Sequence, residues 1–140
     1  MTDSLFQNVD CVSFYVDDID EGIAFYSALG LKLLWRADTS CGLGMSGDIT
    51  EVVLVTKHNP VVQFKVESVE KALPVFEKAG GKVKLETFDI DIGKCAVVSD
   101  PWGNRYCLLD MTKGKYTTDA QGNVTGVALE QTSFGEEEYG

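Results

Sequence analysis

Residues 16–32 read VDDIDEGIAFYSALGLK, and residues 66–82 read VESVEKALPVFEKAGGK. The two segments lie 50 residues apart and share one pattern: the end of an apolar strand, a short polar residue, an amphipathic helix, a glycine and then a lysine. Asp18 and Ser68 are the expected N-caps, and Gly30 and Gly80 are the expected helix stops. Because a solenoid needs at least about three copies, two copies predict a duplicated module instead.

Strand-like segments surround each predicted helix. The apolar and β-branched runs are residues 11–16, 31–36, 40–45 and 51–56 in the first copy, and 61–66, 82–87, 94–99 and 104–109 in the second. Each copy therefore reads βαβββ, with modules at about 9–57 and 60–110 inside a domain of residues 1–112. Residues 113–140 are an extension, in which turn-forming residues predict a hairpin followed by an acidic tail. The fold class is α+β.

Composition and charge restrict the function. The chain has 140 residues, 44% of them hydrophobic, which is enough for one domain with a real core and argues against disorder. Its net charge of −10 disfavours a nucleic acid or an anionic membrane as partner, and favours a cationic ligand. No apolar run reaches the ~18–20 residues of a membrane span, and the N-terminus lacks a basic region followed by an apolar one. We therefore expect a cytoplasmic protein.

Several isolated motifs are better explained by structure than by function. The four cysteines include no CxxC pair, and in a cytoplasmic protein they are expected to be reduced. Residues 42–47 read GLGMSG and match GxGxxG, but they precede a β-type run, so we interpret them as a strand and turn. The single histidine, His58, lies in the linker between the modules and is interpreted as a solvated loop residue, which excludes a His-based triad.

Two motifs, each in its proper module, resemble those of the vicinal oxygen chelate superfamily, which includes glyoxalase I, bleomycin-resistance proteins and extradiol dioxygenases. The first is VDDI at 16–19 with FY at 25–26 and LGL at 29–31. The second is DPWGN at 100–104 with LLD at 108–110. The resemblance covers roughly residues 9–110. It implies that the two modules curl into a half-barrel of mixed sheet around a cavity, with the helices outside and a second chain often closing the cavity. We therefore expect a homodimer.

The resemblance also identifies candidate metal-ligand positions. Metal enzymes of the superfamily place His, Gln or Glu on inward positions of four strands, which correspond here to Cys11, Leu54, Val61 and Cys107. Leu54 and Val61 have no donor atom, so the resemblance implies no metal, no cofactor and no catalytic residue. Glu51 is the nearest carboxylate, and strand alternation places it on the face opposite to Leu54. Cys11 and Cys107 are interpreted as apolar liners, with a soft-metal site and a redox pair as alternatives.

Strand alternation extends this set to a predicted cavity wall. Trp35 and Trp102 are candidate walls or lids for a planar ligand, although core packing explains a single Trp equally well. The predicted ligand-binding residues are Cys11, Ser13, Tyr15, Trp35, Leu54, Val61, Gln63, Lys65, Cys95, Trp102, Arg105 and Cys107.

Three functions fit this sequence. The first is a metal-free binding protein of the bleomycin-resistance type, which sequesters a bulky, cationic aromatic ligand in a dimer cavity. The second is a glyoxalase-like lyase or isomerase, or a dioxygenase relative, with an atypical metal site. The third is a domain with a vestigial cavity that binds a protein partner through its surface. The absence of a complete ligand set favours the first.

Overall fold

The computed structural model describes residues 4–57 and 60–129. Its elements alternate as the repeat predicts: β1 (Asn8–Tyr15), α1 (Ile19–Ala28), β2 (Lys32–Arg36), β3 (Ser40–Met45), β4 (Asp48–Val55), β5 (Val62–Lys65), α2 (Val69–Lys78), β6 (Lys82–Ile90), β7 (Gly93–Ser99), β8 (Arg105–Leu109), β9 (Lys115–Thr118) and β10 (Val124–Ala128). The predictions for His58 and for the acidic tail lie outside the described residues. Within them, no helix is long and apolar enough to cross a membrane.

The two modules form one open, mixed sheet of eight strands in the order β2-β3-β4-β1-β5-β8-β7-β6. In each module the first and last strands pair in parallel, and β1 joins β5 antiparallel where the modules meet. The sheet does not close, because β2 and β6 lie at its opposite edges. The predicted α+β fold of two βαβββ modules is confirmed.

Both helices begin and end where their capping residues predict. The Asp18 side chain accepts a hydrogen bond from the Glu21 amide at 2.9 Å, and the Ser68 side chain accepts one from the Lys71 amide at 3.3 Å. Gly30 and Gly80 follow the two helices at φ +97° and +114°, a backbone region that favours glycine. Local sequence therefore fixes the helix bounds.

Both helices pack on one face of the sheet and leave the other face for a cavity. Against α1 lies a buried cluster of Ile19, Cys41, Leu43, Val52 and Leu54. Against α2 lies a larger one made of Val66, Val69, Ala72, Leu73, Phe76, Ala96, Val98 and Leu108. A third cluster, formed by Cys95, Cys107 and Leu109, lies on the opposite face. Strand alternation thus separates the helix-facing core from the residues that face the cavity.

A buried carboxylate ties the second module to the C-terminal hairpin. Asp110 directly follows β8 and is 1% exposed. Its Oδ2 accepts a hydrogen bond from the Val69 amide, the first residue of α2, at 2.8 Å, and its Oδ1 accepts one from the Lys94 amide at 2.9 Å. Oδ1 also accepts a bond from the Thr112 hydroxyl at 2.9 Å. The carboxylate therefore connects β8, α2, β7 and the segment that leads to the hairpin.

The turn in this hairpin has the same local structure as the DPWGN turn between β7 and β8. Asp100 accepts hydrogen bonds from the Trp102 and Asn104 amides, and Asp119 accepts them from the Gln121 and Asn123 amides. In each turn the glycine before the asparagine has positive φ, +91° for Gly103 and +86° for Gly122. The shared pattern D-x-x-G-N therefore predicts a tight chain reversal twice in this sequence.

Candidate ligand-binding cavity

A cavity of about 610 Å³ lies on the face of the sheet opposite the helices. Residues from both modules line it, and the hairpin β9–β10 supplies part of its wall. The lining residues are Asn8, Asp10, Cys11, Leu34, Trp35, Ile49, Glu51, Val53, Gln63, Lys65, Ile90, Ile92, Leu109, Met111, Lys115, Tyr116 and Thr118.

A row of polar side chains crosses the four central strands. Cys11 pairs with Glu51 on β4 and with Gln63 on β5, and Gln63 pairs with Cys107 on β8. Cys11, Glu51 and Gln63 line the cavity, and Cys107 is buried on the same side. The duplicated fold thus brings one position from each of these four strands together.

Two predicted members of this row do not belong to it. Leu54 is fully buried on the helix side, where a Cβ on Gly22 of α1 would come within 2.9 Å of its Cδ1 atom. Glu51 takes the cavity-facing place on β4, because it is the residue that pairs with Cys11. Leu54 lies three residues further along the strand, an odd number, and therefore points to the opposite face. Val61 precedes β5, is 50% exposed and does not line the cavity; its carbonyl accepts a hydrogen bond from the Ser13 amide at 2.7 Å.

A hydrogen bond from the Trp35 indole holds Glu51, and Gly42 leaves space for that indole. The Oε1 atom of Glu51 accepts this hydrogen bond from Trp35 Nε1 at 2.8 Å. A Cβ on Gly42 would lie 2.0 Å from that indole nitrogen and 2.7 Å from Oε1, so only glycine fits beneath the pair. The glycine-rich segment at 42–47 is a strand and turn, as predicted. Its Gly42 also leaves space for the Trp35–Glu51 pair in the cavity wall.

A second carboxylate reaches the cavity through an irregularity in β1. The register of β1 against β5 shifts between Val9 and Cys11, and both Asp10 and Cys11 line the cavity. Burial raises the pKa of Asp10, while Lys65 and Lys115 act in the opposite direction. Burial also raises the pKa of Glu51; the Trp35 hydrogen bond and the charge of Lys115 oppose this shift, and the negative charge of Asp10 adds to it. The charge of Asp10 therefore disfavours the ionisation of Glu51.

Two thiols on the cavity face, Cys11 and Cys95, are poor metal ligands at neutral pH. Burial, and then the charge of Asp10, raise the pKa of Cys11 to about 12, and the Cys11 sulfur lies 4.0 Å from the Ser13 hydroxyl. A hydrogen bond to Cys107, followed by burial, raises the pKa of Cys95. The hydrogen bond with Cys95 instead lowers the pKa of Cys107. Since a thiolate is the form that binds metals, Cys11 and Cys95 are disfavoured as metal ligands and behave as small apolar liners.

The donor set does not fit the divalent metal that metal enzymes of the resembled superfamily hold. Cys11 is held as a thiol, Glu51 accepts the indole hydrogen bond, and the amide nitrogen of Gln63 donates to the Ser13 hydroxyl at 2.9 Å. Within the described ranges, no group of three or more His, Cys, Asp or Glu residues is placed to hold a metal ion.

The remaining predicted residues divide into two groups. Ser13, Cys95 and Cys107 are buried on the cavity face, and Trp35, Gln63 and Lys65 line the cavity. Tyr15, Trp102 and Arg105 are exposed and do not line it, and Trp102 is 83% exposed in the β7–β8 turn. Asp10 and Tyr116 are absent from the predicted ligand-binding residues, and Glu51 was predicted only as the nearest carboxylate, on the face opposite to Leu54. Of these, alternation from Cys11 along the paired strand could have identified only Glu51.

Comparison with known proteins shows the same fold. Residues 8–108 match the sequence model of the Glyoxalase/Bleomycin resistance protein/Dioxygenase superfamily. Methylmalonyl-CoA epimerase from Mycobacterium tuberculosis aligns with a TM-score of 0.65 and 17% identity, over 79% of this chain and 91% of that chain. An extradiol ring-cleaving dioxygenase from B. fuscum aligns with a TM-score of 0.55 and 21% identity, over 76% of this chain and 33% of that chain. No curated protein matches significantly. At these identities the structural likeness concerns the fold alone.

Proposed function

Because the chain belongs to the glyoxalase/bleomycin resistance protein/dioxygenase superfamily, we propose that it binds a small organic cation with an aromatic body in this cavity, without a metal. A volume of about 610 Å³ lies in the usual range of roughly 300–1,000 Å³ for small-molecule pockets. The lining combines apolar residues and two aromatic side chains with a few polar groups, which is the usual composition of such sites. Sequestration of a drug-like molecule, such as an antibiotic, is the role that this arrangement suits.

The observation that carries this proposal is the environment of Glu51. Its carboxylate is partly buried in the cavity wall, and its pKa is raised because burial and the neighbouring Asp10 disfavour its charge. A ligand cation beside it would replace the lost solvation and relieve the repulsion between the two carboxylates. The Trp35 ring, fixed by its bond to the same carboxylate, offers a face for stacking and cation–π contact. Lys115 acts on both carboxylates, whereas Lys65 acts on Asp10, so Glu51 is the less neutralised of the two and the better partner for the ligand.

We expect planar probes of opposite charge to bind differently. Ethidium, an aromatic cation, should quench Trp35 emission at micromolar concentration, whereas anilinonaphthalene sulfonate should bind more than about tenfold more weakly. The Trp102→Phe background removes the exposed indole, so the signal comes from Trp35. Glu51→Gln keeps the size of the side chain and should weaken ethidium binding by about tenfold or more.

The pH dependence of the same titration tests the charge of Glu51. Since its pKa is raised above 4.5, the carboxylate gains its proton at a higher pH than an exposed glutamate. Ethidium affinity should therefore fall as the pH decreases from 7 toward 5, and Glu51→Gln should not show this fall. Equal binding of both probes, or no quenching by ethidium at any pH, would contradict the proposal.

A second candidate is proton-transfer catalysis, which the raised pKa of Glu51 inside a cavity favours. Methylmalonyl-CoA, the substrate named for one structural neighbour, provides a test. In deuterated buffer, the binding proposal expects no exchange of the C2 hydrogen above the uncatalysed rate. Exchange that Glu51→Gln abolishes would instead make the protein an enzyme with Glu51 as general base.

A further inference from the structure

The C-terminal hairpin spans the cavity and contacts both ends of the open sheet. On the β2 side, the Arg36 amide donates to the Gly122 carbonyl at 2.8 Å, and the rings of Trp35 and Tyr116 lie 4.9 Å apart. At the β6–β7 turn, the Tyr116 hydroxyl donates to Asp91 at 3.2 Å, and Lys113 pairs with Asp89 at 3.0 Å. Since β2 and β6 are opposite edges of the sheet, the hairpin bridges them.

The hairpin is a wall of the cavity as well as a bridge. Lys115, Tyr116 and Thr118 of β9 line it. Burial and the neighbouring Asp91 raise the pKa of Tyr116 to about 12, so its hydroxyl stays protonated and donates to that carboxylate. The segment leading to the hairpin is fixed by Asp110 and by Gly114, where φ is +126° and a Cβ would lie 2.3 Å from the Ala128 carbonyl oxygen.

We infer that this hairpin completes the ligand site within one chain and that Tyr116 determines which ligand the site accepts. The inference rests on the proposed function, because it concerns the same cavity. The hairpin lies outside the family match, which ends at residue 108. It covers the side of the sheet that the sequence analysis expected a second chain to close. A planar ligand would lie against Trp35 and Tyr116, with its cationic group toward Glu51.

Sedimentation with ethidium tests whether one chain is sufficient. We expect one ethidium bound per chain at protein concentrations where the mass is that of a single chain, 15.3 kDa. Binding that appears only with dimer formation, or one ethidium per two chains, would overturn the inference while leaving the proposed function intact. Different results therefore contradict the inference and the proposed function.

Variants of the hairpin test its role as a wall. In the Trp102→Phe background, Tyr116→Ala should lower ethidium affinity about fivefold or more and should at least double the acrylamide quenching of Trp35. Tyr116→Phe keeps the ring and should retain most of the affinity. Thr125→Ala lies on the same hairpin, does not line the cavity and should change neither measurement.

Acrylamide quenching of Trp35 tests whether the hairpin is a wall of the cavity even if no ligand binds. If ethidium fails to bind at every protein concentration, the proposed function is wrong, and quenching alone then decides whether the hairpin closes the cavity. Unchanged Trp35 quenching in Tyr116→Ala would overturn the inference, and increased quenching would support it.

Discussion

Replacing Asp110 by alanine should lower the free energy of unfolding by about 3–5 kcal/mol, because it leaves the buried amide of Val69, the part-buried amide of Lys94 and the Thr112 hydroxyl without their acceptor. Each unsatisfied buried donor costs about 1–3 kcal/mol. These donors lie in three separate segments, so the loss should affect α2, β7 and the attachment of the hairpin together. Urea unfolding followed by circular dichroism at pH 7 measures the effect.

The control for this experiment is Asp119→Ala. Asp119 also accepts bonds from two backbone amides and one side chain, but it lies in an exposed turn where water can replace the carboxylate. Its loss should cost no more than about 1 kcal/mol. An equally small loss for Asp110→Ala would show that the carboxylate does not hold these segments together.

The contribution of Asp110 should also depend on pH. Burial alone would raise its pKa, but the hydrogen bonds from Val69, Lys94 and Thr112 outweigh burial and lower it below 3.8. A lowered native pKa means that the stabilisation is fully present above the unfolded-state value and is lost as the pH falls through the native value. Asp110→Asn should therefore be less stable than the wild type at pH 7, and this difference should shrink below about pH 4.

The sequence predicts the bounds of the helices and strands better than it predicts which face of the sheet each side chain occupies. The helix caps at Asp18 and Ser68 depend on residues three positions away, so local chemistry is sufficient to identify them. The face of β4 is different: residues 52–55 are all apolar, so hydrophobicity does not distinguish its two sides. Only the pairing of Cys11 with Glu51 shows that Leu54 faces α1.

Two site residues depend on features that no repeat pattern contains. Asp10 lines the cavity beside Cys11 although the two are adjacent in sequence, at a register shift in β1 that strand alternation cannot predict. Tyr116 meets Trp35 across more than half of the chain, and its segment has no counterpart in the first module. The predicted cavity wall therefore included residues of the central strands that face away from the cavity, such as Leu54, and it omitted the hairpin entirely.

Gly42→Ala should displace the Trp35 indole from Glu51 and lower ethidium affinity about tenfold or more, because its Cβ would lie 2.0 Å from the indole nitrogen. Trp35 emission, measured in the Trp102→Phe background, should shift as the ring moves. The matched control is Gly44→Ala on the same strand, where the three atoms nearest to the new Cβ all belong to the Leu34 side chain, the closest at 3.1 Å. Its effect on affinity should stay within about twofold.

This substitution separates the geometry of the site from its charge. Glu51→Gln removes the negative charge and leaves the ring, whereas Gly42→Ala keeps both functional groups and removes only their alignment. If the cation is recognised by a carboxylate and a ring held together, both variants should bind ethidium weakly. Normal binding by Gly42→Ala would mean that Glu51 acts by charge alone, and that the hydrogen bond from Trp35 does not position the ligand site.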